Sequence, residues 1–322
     1  MRLTASAVVL AATLGVIHAN SFPLSHGDGL IVVDAVVEGP DERPVSGLRQ
    51  ADFEIAADGE QRQILSFEQA ERMSLVLLVD VTNSVTDSGD VTLSGNDPAR
   101  VAATVFELSL GALRKSAGQL LNGLGRGDRA RVGAIAGRLS LSPAFTSDPG
   151  ELAKAIDTAI DRSERERHGP SLIWDAADAA VSALDGETGR RAVILCTDGR
   201  ATGNRMGMVD AADHAAASGV SLNIVAPFLT AVIPQGRGVI IVRPERSLGA
   251  VADFTGGVLI TEVPHLRSKP ELVLSTILAR VRLAYRLGFA PVAHDGRLHR
   301  VDVRVKGEGL TVRARKGYVD RR

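Results

Sequence analysis

An oxygen cluster at the end of an apolar run is the feature of this chain with the most chemistry in it. Leu75-Val-Leu-Leu-Val79 is unbroken and apolar, the pattern of a strand buried on both faces of a parallel sheet. It ends in Asp80, and Thr82 and Ser84 follow two and four positions later. In open α/β sheets, ligands collect just beyond the carboxyl ends of the strands. One carboxylate and two hydroxyls converging there are hard oxygen donors, suited to Mg²⁺ rather than to a soft metal. The same residues also read as a polar turn in which Asp80 caps the helix that follows.

This D-x-T-x-S run resembles the D-x-S-x-S signature of von Willebrand factor type A domains, which opens their metal-ion-dependent adhesion site. The resemblance implies two further ligands, a hydroxyl from a second loop and an aspartate from a third. His168-Gly-Pro-Ser171-Leu-Ile-Trp-Asp175-Ala is similar to the family's G-G-T-x-L-x-D-A segment, with Ser171 in the threonine position. Ala192-Val-Ile-Leu-Cys-Thr197-Asp198-Gly199 is similar to its apolar strand ending in T-D-G. The implied ligand set is therefore Asp80, Thr82, Ser84, Ser171 and Asp198. Thr82 and Ser171 depart from the commonest pattern, and both keep a hydroxyl.

The elements that must position these residues alternate as βα units do. The expected fold is α/β over residues 73–285, a doubly wound, mostly parallel sheet that is von Willebrand factor A and Rossmann-like. Strands are expected at 75–79, 131–136, 193–197 and 220–226, with an edge strand at 257–261. Asp97-Pro98 opens one helix, with Val101, Val105, Leu108 and Leu113 as its buried stripe. Asp148-Pro-x-Glu151 caps another with Leu152, Ile156 and Ile160 inward. Further helices are expected at 172–184, at 206–218 closed by Gly219, at 245–254 and at 270–284, with an irregular or hairpin insertion at 227–244.

Both ends of the chain read as β structure. Leu30 to Glu38 and Asp52 to Ala57 are strands, and Asp58-Gly59 is a hairpin turn signal. Val301, Val303 and Val305 alternate with charged residues, as do Leu310, Val312 and Ala314 across Gly307-Glu-Gly309. These are expected to form one half-buried hairpin whose basic residues, Arg304, Lys306, Arg313 and Arg315, are its wet face. Residues 29–69 and 286–322 are expected to combine into a small β module formed by both chain ends. Arg43-Pro-Val-Ser-Gly-Leu-Arg-Gln-Ala-Asp-Phe-Glu, Tyr285-Arg-Leu-Gly-Phe289 and Arg313-Ala-Arg-Lys-Gly-Tyr318 resemble a bacterial group called VWFA-related proteins. That resemblance covers the chain from about Gly29 to Tyr318.

Composition excludes several classes. A formal net charge of -1 and 3% aromatic residues give no basis for nucleic acid or an anionic membrane as partner. Residues 1–19 read as a signal peptide, with Arg2 as its positive end, Ala5 to Val16 as its apolar core and Ile17-His-Ala19 as the cleavage site. No later stretch is apolar enough to span a bilayer, so the mature chain is expected to be exported: periplasmic, envelope-associated or secreted. Cys196 is the single cysteine and reads as a small hydrophobe inside a strand. Gly123-Leu-Gly-Arg-Gly127 follows a helix and precedes a strand, the reverse of a dinucleotide fingerprint. Arg126-Gly-Asp128 reads as the turn into the next strand rather than as an adhesion tripeptide. The polar insertion 85–96, with Asp87 and Asp90, reads as a solvated loop or a second cation site.

The function implied by the resemblance is an exported adhesion or binding protein. Its Mg²⁺ (or Mn²⁺ or Ca²⁺) takes an Asp or Glu carboxylate of a protein partner as its last ligand. A metal-assisted hydrolase and a metal-free structural envelope protein are the alternatives. The hydrolase lacks H-E-x-x-H, G-x-S-x-G and a second acid at position 82. Asp175 is expected to fix loop geometry, and His168 and His214 to be surface or capping residues.

Overall fold

The computed structural model describes residues 29–69, 72–82, 123–163, 166, 168–197, 199–226, 231–235, 238–242, 245–260 and 271–319. The signal peptide, the polar insertion at 85–96, the helix expected after Asp97, Ser84 and Asp198 lie outside these residues. Along the chain come β1 (Ile31–Glu38), β2 (Phe53–Ala57), β3 (Glu60–Arg62), β4 (Ser66–Gln69), β5 (Met73–Asp80), β6 (Arg129–Ile135) and β7 (Leu139–Leu141). Then follow α1 (Pro149–Ser163), α2 (Ile173–Ala183), β8 (Arg190–Cys196), α3 (Met208–Ser218), β9 (Ser221–Val225), β10 (Ala231–Gln235) and β11 (Gly238–Val242). The last elements are α4 (Glu245–Thr255), β12 (Leu259–Ile260), α5 (Glu271–Leu283), β13 (Tyr285–Phe289), β14 (Leu298–Val305), β15 (Thr311–Ala314) and β16 (Gly317–Val319).

β5 is buried along its whole length. Successive side chains of a strand point to opposite faces, so Met73, Leu75, Leu77 and Val79 enter one apolar cluster while Val76 and Leu78 enter another. That is why the strand needs an unbroken apolar run. It sits inside a six-stranded sheet of order β12-β9-β8-β5-β6-β7. All neighbours run parallel except β7, which is antiparallel to β6. Leu152, Ile156 and Ile160 of α1 and Ile277, Leu278 and Val281 of α5 cover one face. α2, α3 and α4 cover the other through residues such as Val181, Ala215 and Val251. The sheet is doubly wound, with the strand order reversing between β5 and β8. Among the described residues β10 and β11 pair only with each other, as an antiparallel hairpin within 227–244.

Local signals set the helix ends. Asp148 Oδ1 accepts the backbone N–H groups of Gly150 (2.7 Å) and Glu151 (3.1 Å), which opens α1. α3 stops at Gly219, whose left-handed φ of 65° is open to glycine at little cost. Asp128 is 1% exposed and accepts from the backbone N–H groups of Met73 (2.8 Å) and Gly125 (2.7 Å) and from Arg282. The Arg126-Gly-Asp128 tripeptide is thus a turn whose acid faces inward.

Strands from the two ends of the chain fall into two antiparallel four-stranded sheets, β15-β1-β13-β4 and β16-β14-β2-β3. Val33, Ala35 and Val37 of the first and Phe53, Ile55, Val301 and Val303 of the second share one core with Tyr285 and Tyr318. The hairpin expected between 301–305 and 310–314 does not form. β14 pairs with β2 (Val303 opposite Ile55), and β15 pairs with β1 (Ala314 opposite Ala35). The Gly307–Gly309 turn carries the chain from one sheet to the other rather than back along the same one. The basic residues also divide. Arg304 is exposed, whereas Arg315 is buried.

His299 ties the second sheet to its loops. Its Nδ1 meets Asp58 Oδ2 at 2.7 Å and its Nε2 meets Asp295 Oδ1 at 3.0 Å, with the ring stacked on Tyr318. The Asp58 bond raises the imidazole above its ordinary 6.5; burial opposes this, and the Asp295 bond adds to it. The His299 bond lowers Asp58 below its ordinary 3.8, and the Arg297 N–H does the same for Asp295. A raised histidine stabilises fully below pH 6.5 and loses that contribution as pH rises through its folded pKa. The lowered acids stabilise fully above pH 3.8 and lose it as pH falls through theirs. The melting-temperature gap between wild type and His299→Gln is therefore expected to be widest between pH 3.8 and 6.5 and to narrow on the alkaline side. A gap independent of pH in thermal melts would disprove the coupling.

Candidate metal-ion site at the carboxyl edge of the sheet

β5 delivers Asp80 to the sheet's carboxyl edge, where the strand order reverses and a crevice opens. Its neighbours hold it in register, with Asp80 opposite Ile135 of β6 and Val79 opposite Cys196 of β8. The next residue, Val81, donates its N–H to Ile135 O at 2.9 Å, which fixes the exit of the chain. The carboxylate is 8% exposed.

Three hydroxyls from three loops converge on it. Thr82 donates both its N–H (3.0 Å) and its Oγ1 hydroxyl (2.6 Å) to Asp80 Oδ1. Ser171 Oγ donates to Oδ2 at 2.8 Å, and Thr197 Oγ1 donates to the same oxygen at 2.8 Å. All three residues are buried. Thr197 follows the last residue of β8, so the strand that carries Cys196 presents a hydroxyl to Asp80. Sequence reasoning quoted Thr197 within its T-D-G motif but gave it no role. Its signal was there: a hydroxyl one step past a buried strand, much as Thr82 lies two steps past β5.

A clamp 30 residues away in sequence holds the Ser171 loop. Ser171 N donates to Thr202 Oγ1 (2.9 Å), and Thr202 N returns a bond to Ser171 O (2.9 Å). Asn204 Nδ2 donates to Ser171 O at 3.0 Å. Asn204 Oδ1 accepts the N–H groups of Trp174 (2.7 Å) and Asp175 (3.2 Å). Those two donors belong to the first turn of α2 and have no partner within the helix, so Asn204 acts as its cap from another loop. Asp175 answers by accepting the N–H groups of Arg205 (2.9 Å) and Met206 (2.6 Å). It fixes loop geometry, as its place in sequence implied. His214 pairs with Asp178 at 2.6 Å, joining α3 to α2.

The donor chemistry fits a hard divalent cation. Thr82, Ser171 and Thr197 all meet Asp80 with oxygen, and a hydroxyl that gives its proton to Asp80 keeps lone pairs for a metal. Cys196 lies one residue before Thr197, but burial pushes its thiol up to about 12, so it supplies no thiolate. Among the described residues no group of three or more His, Cys, Asp or Glu gathers to hold a metal. Among the described residues the cluster is one carboxylate with three hydroxyls. Of the sequence-derived set, the structure brings Asp80, Thr82 and Ser171 together; Ser84 and Asp198 lie outside the described residues.

The sheet order, the helices on both faces and a hydroxyl-ringed aspartate at the switch point make this a von Willebrand factor type A-like fold. No protein-family model and no curated protein matches the chain. Solved structures similar to it include an aerotolerance-related membrane protein from Bacteroides fragilis. That similarity is 19% identity with a TM-score of 0.45, over 65% of this chain and 98% of that one. A von Willebrand factor type A structure from Catenulispora acidiphila is 12% identical with a TM-score of 0.44, over 90% of this chain and 73% of that one. Proximal thread matrix protein 1 from the mussel byssus, with a zinc-occupied MIDAS motif, is 14% identical with a TM-score of 0.43, covering 66% and 49%.

Proposed function

We propose that this chain is an exported binding protein that captures a partner's carboxylate through a divalent cation, Mg²⁺ first, held at the Asp80 cluster. The observation that carries the proposal is the convergence of Thr82, Ser171 and Thr197 on one buried carboxylate at the switch point. Asp80, Thr82 and Ser171 would hold the metal, together with Ser84 and Asp198 from the sequence motif. When bound, the cation supplies an electrophilic position that an Asp or Glu side chain takes in place of a water. The chain's own part is to orient. Asp80 fixes three hydroxyls, and the Thr202–Asn204 clamp keeps the Ser171 loop at the sheet edge.

Binding is favoured over turnover by the surroundings of the cluster. A metal-activated water needs a positioned base within hydrogen-bond reach. Asp175, the nearest acid in sequence to Ser171, is engaged by two backbone N–H groups. No helix among the described residues is long and apolar enough to cross a membrane; export rests on the amino-terminal segment's sequence.

The test is capture of partners from envelope and secreted fractions, in Mg²⁺ and in EDTA side by side. Capture is expected to need the cation and to fall at least about tenfold, or about 1.4 kcal/mol, in Asp198→Ala and Ser84→Ala. It should also fall when one exposed acid of the partner is replaced by alanine. Capture that survives EDTA, or metal-dependent turnover lost in Asp80→Ala, would refute this reading.

A further inference from the structure

The amino edge of the same sheet holds a second feature that the Asp80 site does not use. A cavity of about 300 Å³ lies between the starts of β8 and β9, the last turn of α5 and the β15-β1-β13 sheet. Arg190, Arg191, Arg280, Arg286, Arg313 and Arg315 line it, against three acids, Asp34, Glu68 and Asp185. Most of these charges have partners. Arg286 pairs with Asp34 at 3.1 Å and with Glu68 at 3.7 Å. Glu38, buried behind the wall, takes Arg280 at 2.5 Å and Arg313 at 3.0 Å.

Arg190 and Arg315 do not fit that pattern. Arg190 is 1% exposed and Arg315 is 7% exposed, and neither forms an ion pair among the described residues. Backbone carbonyls take part of each guanidinium: Val281 O accepts from Arg190 Nη1, while Ala216 O and Val32 O accept from Arg315. The Nε and Nη2 of Arg190 and the Nε of Arg315 are buried without a partner. Burial lowers both guanidinium pKa values, that of Arg315 to about 10, with Asp34 opposing. A buried charge with no ion-pair partner and with unmet donors costs heavily, and the three orphaned donors belong to two arginines that line one cavity.

We propose that this cavity binds a small oxyanion, a carboxylate or phosphate group on a compact molecule, through the free donors of Arg190 and Arg315. Nε and Nη2 form one edge of the guanidinium fork, the edge that takes two oxygens of a carboxylate or phosphate together. Ile31, Val36 and Val258 line part of the remaining wall, beside Ser221, Asn223 and Thr255, so the body of the ligand is compact and only partly apolar. Polar donors that fix orientation beside patches of apolar wall are a usual make-up of a small-molecule site.

The experiment is thermal melting and calorimetry on the full chain with inorganic phosphate or succinate, against sodium chloride at equal ionic strength. At least one oxyanion is expected to bind saturably and to raise the melting temperature above the chloride control; the tighter of the two arms names the head group. Arg190→Met is expected to weaken that binding at least tenfold. In oxyanion-free buffer it should melt at or above the wild-type temperature, because the apolar side chain needs no counter-charge. Asp80→Ala should keep the oxyanion response, which separates this site from the metal site. If Arg190→Met does not fold, Arg315→Met is read the same way. The proposal is overturned if neither oxyanion exceeds chloride, if the arginine variants keep the response, or if Arg190→Met is destabilised equally with and without oxyanion.

Discussion

Asp80→Ala is expected to leave the protein folded and to remove Mg²⁺ binding. Three hydroxyls and one backbone N–H lose an acceptor. At about 0.5–1.5 kcal/mol for each ordinary hydrogen bond, that is a loss of a few kcal/mol. The variant also removes a buried carboxylate whose desolvation opposed folding, and neither apolar face of β5 is touched. For the cation the change is far larger, since the only described carboxylate of the cluster disappears. Affinity should fall by roughly 100-fold or more, about 2.7 kcal/mol. Calorimetry with Mg²⁺ or Mn²⁺ is the direct measurement, expected to show one main site in the wild type. Trp174, the single tryptophan, sits in the first turn of α2 under the Asn204 cap, so its fluorescence is a second readout. Unchanged affinity in Asp80→Ala would end the assignment.

Deleting residues 298–322 should have the largest effect on stability. The deletion removes β14 from β2 and β15 from β1, leaving β2 with only the three-residue β3 as its neighbour. It also strips Val301, Val303, Ala314 and Tyr318 from the shared core. At about 1.5–3 kcal/mol for each large apolar side chain, the loss rivals the whole stability of an ordinary domain. Glu38 would keep Arg280 but lose Arg313. We expect the strands between Ile31 and Gln69 to become protease-sensitive in the deletion variant while the wild type resists. Equal protection of that region in limited proteolysis would show that the two chain ends do not depend on each other.

What could be read from sequence divides along physical lines. The α/β core was legible because its signals are local. Both faces of β5 are buried, so it is apolar throughout, and α1 announces itself by Asp148 and the spacing of Leu152, Ile156 and Ile160. Asp80, Thr82 and Ser171 were legible because they belong to contiguous motifs. Asn204 and Thr202 were not, because their role depends on a loop 30 residues away. β14 and β15 alternate as half-buried strands do, but alternation gives a strand's inner face and not its partner. The glycine turn between them therefore looked like a hairpin and is a crossing between sheets. Arg315 departs from its pattern for a related reason. A charged residue in an alternating run reads as solvent-facing, yet it lies just past Thr311–Ala314, where α3 and the sheet edge close over it.

The chain leaves the paired sheets at Gln69 and returns at Tyr285, and these two residues face each other across the β4–β13 ladder. The described segment between them, Asp80 included, therefore starts and finishes at facing positions of one ladder, and the Arg280–Glu38 pair and the Arg315 bond to Ala216 O fasten it to the paired sheets at further points. Pulled away from those sheets, it would have to give up the ladder and these side fastenings together before strain reached Asp80.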